Sequence, residues 1–119
     1  MTNKEINEIT EILKKGWGDD HESQKAYMQT LAIYKARVNE LKTEAELDYL
    51  SNLTVFVSQH DLDKLKAHEY RDRRDAFLRV QIGNKETLDR LSSTISAQMD
   101  GLKSVLFLAG QEFRTLNLI

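Results

Sequence analysis

Apolar side chains recur along this chain at helical spacing. Ile6, Ile9, Ile12 and Leu13 share one face of a short segment that opens with Thr2 and Glu5 in capping-box spacing and closes at Gly16. Gly16-Trp17-Gly18 then makes a flexible joint over the end of residues 1–18, and Asp19 or Asp20 can cap the next helix, because a carboxylate accepts hydrogen bonds from the orphan amides of a first turn. Tyr27, Leu31, Tyr34, Val38, Leu41 and Ala45 follow one another by alternating steps of four and three. That spacing is the seam of a helix packed along its length against another, and it predicts a long helix over 19–51, roughly 48 Å at 1.5 Å per residue.

The segment 52–60 interrupts the pattern. Thr54-Val55-Phe56-Val57 is β-branched and aromatic, but no second segment offers it a strand to pair with, so it is expected to be a connector. Ser58 and Asp61 have capping-box spacing and open a second long helix over 61–117, in which Tyr70, Phe77, Leu88, Leu91, Ile95, Leu102, Leu106, Ala109 and Phe113 fall on one stripe. Gly83-Asn84 is a possible stop. Phe77 and Leu88 are nevertheless eleven residues apart, close to three full turns, so the apolar face keeps its phase and a continuous helix of roughly 84 Å is expected.

These patterns predict an all-α fold class: one domain over 1–119, a short N-terminal helix and a long antiparallel helical hairpin of coiled-coil character. A chain without proline permits this, since the strongest helix breaker is missing. The alternative is a three- or four-helix bundle broken at Gly83. In the hairpin, about half of the longer arm lacks an intrachain partner, and that overhang is the least charged part of the chain: from Ser92 to Ile119 only Asp100, Lys103, Glu112 and Arg114 carry charge. Leaving Leu102, Val105, Leu106, Leu108 and Phe113 in water forgoes about 1.5–3 kcal/mol for each side chain that could be buried. A homodimer or higher even oligomer is therefore expected, with the small residues Ala97, Gly101 and Ser104 admitting a second backbone and Phe107 and Leu108 flanking them.

Composition narrows the function classes. Seventeen basic and nineteen acidic residues leave a net charge of −2, so no global field steers the chain towards nucleic acid or anionic lipid. Without cysteine there is no disulfide framework and no thiolate site, which suits a reducing cytoplasm. No apolar run approaches the roughly 20 residues that span a bilayer, and no secretory pattern comes after Met1, so no membrane association is expected. His21 lies among Asp19, Asp20 and Glu22, but acidic residues suit a first helical turn without any metal. His60 and His68 are two turns apart, too far for one ion without a third element. There is no glycine-rich phosphate loop, nucleophile elbow or His-Glu-x-x-His, so neither enzyme activity nor a cofactor or metal is expected.

One segment has the look of a phosphate-binding patch: Arg71, Arg73 and Arg74, with Arg79 a turn beyond. Over Asp61 to Asp75, however, Lys64, Lys66, Arg71, Arg73 and Arg74 are matched by Asp61, Asp63, Glu69, Asp72 and Asp75. Pairs such as Glu69 with Arg73 and Asp75 with Arg79 account for it as a salt-laced solvent face. Nucleic-acid binding through these arginines is the alternative to a protein-interaction role.

The runs "KARVNELKTEAELDYL", "KLKAHEYRDRRDAF" and "LDRLSSTISAQMDGLKSVLFLAGQEF", with the order helix, connector and serine-bearing final segment, resemble small coiled-coil proteins encoded beside single-strand annealing and recombination genes in temperate bacteriophages. The likeness covers about residues 26 to 113; Gly83-Asn84 and Thr54 to Ser58 depart from an uninterrupted hairpin. It implies a non-enzymatic accessory protein of the bacterial host cytoplasm with a helical-hairpin core, and the role expected of such a protein is to bind a host or phage protein of the replication, recombination or defence machinery through its long apolar faces. It carries over no catalytic residue.

Overall fold

The computed structural model describes residues 3–59 and 64–118, with side chains as far as Gly110. Of the described residues 92% are helical, in α1 (Asn3–Lys15), α2 (His21–Gln59), α3 (Ala67–Phe77) and α4 (Arg79–Leu118), with no strand among them. The particle is long and thin, 78 × 27 × 18 Å.

α1 ends where its glycine permits. Gly16 has φ +63°, and its amide donates to Ile12 O at 3.3 Å, the left-handed stop that a side chain with a β-carbon resists. Asp20 caps α2: its Oδ2 accepts from the Ser23 amide at 3.1 Å and from the Ser23 hydroxyl at 2.8 Å. Thr2, the other half of the expected α1 capping box, lies outside the described residues, as does Asp61, the expected partner of Ser58.

α2 and α4 form the antiparallel hairpin. Tyr27 bonds to Gln98, Lys35 to Ser92 and Ser96, Lys42 to Asp89 and Glu46 to Lys85, so ascending numbers on one helix meet descending numbers on the other. The seam expected from the apolar spacing is the core: Leu31, Val38, Leu41 and Ala45 of α2 are buried against Leu88, Leu91, Ile95 and Leu102 of α4, with Tyr27 and Tyr34 partly covered. Ile6, Ile9 and Leu13 of α1 join the same cluster. The upper half of the hairpin is thus a three-helix bundle, and its lower half is capped by α3.

Three expectations about boundaries change. First, 52–59 is not a connector, because α2 runs unbroken to Gln59; His60, the last residue of the expected connector, lies outside the described residues. Phe56 is fully buried there, its ring centroid 5.8 Å from Tyr70 and 5.5 Å from Phe77, and Thr54 and Ser58 turn their hydroxyls onto the helix's own carbonyls of Leu50 and Val55. Tertiary burial of one aromatic outweighs the β propensity of its neighbours. Second, α4 crosses Gly83 without interruption, but the helix expected over 61–117 divides at Leu78, whose φ −98° and ψ 16° fall near the bridge region. Its amide still donates to Arg74 O and its carbonyl accepts from Ile82, both at 2.9 Å, so the division is a bend rather than a loop. The bend puts Leu78 fully into the core and leaves Phe77 half exposed.

Third, the overhang is much shorter than half an arm. α2 has 39 residues and α4 has 40, roughly 58 and 60 Å. In the register of Tyr27 on Gln98, the start of α2 lies opposite residues near Ser104, which leaves about 20 Å of α4 beyond it.

Candidate interaction surfaces

The end of α4 is the first surface. Leu102 is fully buried, and Val105 and Leu106 pack against the core, so these three serve the chain's own bundle. Phe107 and Leu108 are 63% and 59% exposed beside Lys103 and Ser104. Phe113 belongs to the α4 backbone, but its side chain lies outside the described ones. The small-residue strip has a different use from the one expected. Ala97 and Ser104 are exposed, whereas Gly101 lies under the indole of Trp17: a β-carbon added to it would stand 3.3 Å from Trp17 Cη2. The close approach that glycine admits is therefore made by this chain's own joint and not by a second copy.

That joint is held by several bonds. Gln98 donates to Leu13 O at 2.8 Å and accepts from the Tyr27 hydroxyl, tying α1, α2 and α4 to one side chain. Gln24, itself buried, donates to Gly18 O at 2.7 Å. The Trp17 ring lies 6.3 Å from that of Tyr27, and burial pushes the Tyr27 hydroxyl above its ordinary pKa. At the other end of α1, Arg37 of α2 holds both Glu5 oxygens, with Nη2 to Oε2 at 3.0 Å, and also reaches Glu40 at 2.9 Å.

Two carboxylates here are tuned by their donors. Hydrogen bonding from Arg37 holds Glu5 below the usual carboxylate range, and bonding from Ser23 does the same for Asp20. A depressed folded-state pKa gives stability that is present above the unfolded pKa and lost as pH falls through the folded one. Acidification from about pH 5 downwards is therefore expected to loosen α1 and the first turn of α2. Trp17 is the sole tryptophan, so a red shift of its emission reports the loosening. In Glu5→Gln the acid-dependent part of that shift should shrink; an unchanged profile would refute a role for Glu5.

A cleft of about 400 Å³ remains along the seam between α1 and α4, lined by Ile6, Thr10, Leu13 and Lys14 on one side and Thr87, Arg90, Leu91 and Thr94 on the other. Its walls hold two cations and no carboxylate.

The arginines of α3 are not gathered on one face. At 100° per residue Arg71 and Arg73 point about 200° apart. Arg74 is committed to Asp75 at 3.0 Å and lies 5.7 Å over the Tyr70 ring, while Arg71, Arg73 and Arg79 are exposed. Asp75 thus pairs with Arg74 and not with Arg79, and among the described residues Glu69 and Arg73 form no ion pair. No group of three or more histidine, aspartate or glutamate side chains among the described residues is placed to hold a metal ion; His60 lies outside them.

A further apolar face lies on the lower half of α2 and does not stand out in the sequence. Leu47, Leu50 and Val57 are 62%, 46% and 45% exposed there. Their spacing of three and seven was legible as a stripe, but the buried seam of the same helix is the stronger signal and masks it. No helix of the described residues is long and apolar enough to cross a membrane. Comparison with protein-family models, with curated proteins and with solved structures finds no match to this chain.

Proposed function

We propose that this chain is a small accessory protein of the temperate-phage type, without catalysis of its own, working in the bacterial host cytoplasm. Its role is to bind a protein of the replication, recombination or defence machinery through the projecting end of α4, and to pair with a second copy of itself through the same end. The observation that carries this reading is the exposure of Phe107 and Leu108 on a helix that outruns its partners. An apolar tip of this kind is stabilised by cover from another chain.

Light scattering at micromolar concentration tests it. The expected mass is twice 13.8 kDa or a higher even multiple. Phe107→Asp is expected to return the chain to a monomer with its helix content intact, because the interface would have to bury an unpaired charge. A well-folded monomer of the unsubstituted chain would sink the pairing. The nucleic-acid alternative is separated by mobility shift: saturable binding that weakens steeply with salt, and is lost on replacing Arg71, Arg73, Arg74 and Arg79, would favour it instead.

A further inference from the structure

Three lysines bridge the seam between α2 and α4 along one edge, and the third has no counter-ion. Lys85 meets Glu46 at 2.7 Å and Lys42 meets Asp89 at 3.2 Å. Lys35 is seven residues from Lys42, and Ser92 and Ser96 are three and seven from Asp89, so the next rung falls on the same edge. There Lys35 Nζ donates to Ser92 Oγ at 3.0 Å and to Ser96 Oγ at 2.6 Å, and it makes no ion pair among the described residues. Lys35 and Arg37 point about 200° apart around α2, and Arg37 holds α1, so this edge faces away from the third helix.

The two hydroxyls differ from their neighbours. Thr87, Thr94 and Ser104 of the same helix each donate to the carbonyl four residues back. Ser92 and Ser96 accept from Lys35, and neither donates to any described residue, although Ser92 is only 6% exposed. A hydroxyl carries one proton beside its lone pairs and an ammonium carries three, so each of the three groups keeps one proton unspent. Three donors and a positive charge converge with no acceptor among them. A partly buried donor set of this kind is best satisfied by the oxygens of an anion.

We propose that Lys35, Ser92 and Ser96 form a binding site for a phosphate group, carried by the free ion or by a phosphomonoester. Both present three terminal oxygens, one for each donor, whereas a phosphodiester or a carboxylate presents two. The site is separate from the projecting end of α4, and the proposal does not depend on that reading.

The test titrates inorganic phosphate into the full chain at constant ionic strength and follows the side-chain resonances of Lys35. Saturation is expected with a dissociation constant of about 1–10 mM, the scale of two or three exposed charge-assisted hydrogen bonds. Dimethyl phosphate and acetate should bind at least about five-fold more weakly, having one oxygen fewer for the donors. Phenyl phosphate binding more tightly than the ion would name an organic monoester as the source, and binding no more tightly would name free phosphate; either supports the site. Lys35→Met should weaken phosphate about ten-fold or more and Ser96→Ala about two- to five-fold, both with helix content kept. Lys103→Met, which removes an exposed lysine from the same helix, should change nothing. Ser96→Asp supplies the missing counter-ion within the chain, so it should abolish phosphate binding, whereas the uncharged Ser96→Asn should not. No saturation below about 50 mM, equal binding of acetate or dimethyl phosphate, equal loss in Lys103→Met, or binding retained in Ser96→Asp would each overturn the proposal.

Discussion

Phe56→Ala is expected to cost about 3–5 kcal/mol of stability, measured as a fall in the denaturation midpoint with the slope unchanged. Among the described residues Phe56 is the largest fully buried side chain, and through it α2 packs against Tyr70 and Phe77 of α3. Removing its ring leaves a cavity at the lower end of the hairpin, where α1 provides no cover. The loss should also be local in its first signs. Amide exchange is expected to rise over α3 and the last turns of α2 before it rises over Leu31 to Ala45, whose core is shared by three helices. A cost below about 1 kcal/mol, outside the range for a buried aromatic, would mean that the end of α2 is not packed as described.

Gly101→Leu is expected to drive α1 off the bundle. A β-carbon alone would stand 3.3 Å from Trp17 Cη2, tighter than ordinary contact, and leucine adds three further carbons beyond it. Overpacking of this kind costs about 1–3 kcal/mol, set against roughly 1 kcal/mol that glycine forfeits in a helix interior. The decisive readout is Trp17 emission, which should shift red while most of the α2 and α4 helix signal remains. Gly83→Ala is the matched control. It removes a glycine from the same helix where nothing lies within 4 Å, so it should raise stability by about 0.5–1 kcal/mol and leave Trp17 unmoved. Equal effects at the two positions would show that propensity alone is acting.

Gly101 also illustrates how far a candidate site can be read from a chain of letters. A small residue among larger ones signals close approach, and that much was legible at Ala97, Gly101 and Ser104. Which body approaches is a different matter. Trp17 is 84 positions away in the chain, and nothing in its neighbours Gly16 and Gly18 says that the joint will fold onto α4. The arginines of α3 were legible as charges, but their directions depend on the helix they sit in and on the Tyr70 and Asp75 contacts of Arg74.

The all-α class, the stop at Gly16, a cap at Asp19 or Asp20 and the buried faces of α2 and α4 were legible in the order of the residues alone. These are local properties: a period of three to four residues selects a helix and names its apolar side, and caps act within one turn. The folded chain was needed to show that Asp20 and not Asp19 makes the cap, that 52–59 continues α2, that the second arm bends at Leu78, that α1 lies as a third helix in the upper hairpin, and that the overhang is short. Apart from the cap, each of these turns on a contact between distant residues, Phe56 with Tyr70 and Phe77, Leu13 with Gln98, Trp17 with Gly101. Hydrophobic periodicity states that a face must be covered, but the covering atoms are chosen by the packing of the whole chain.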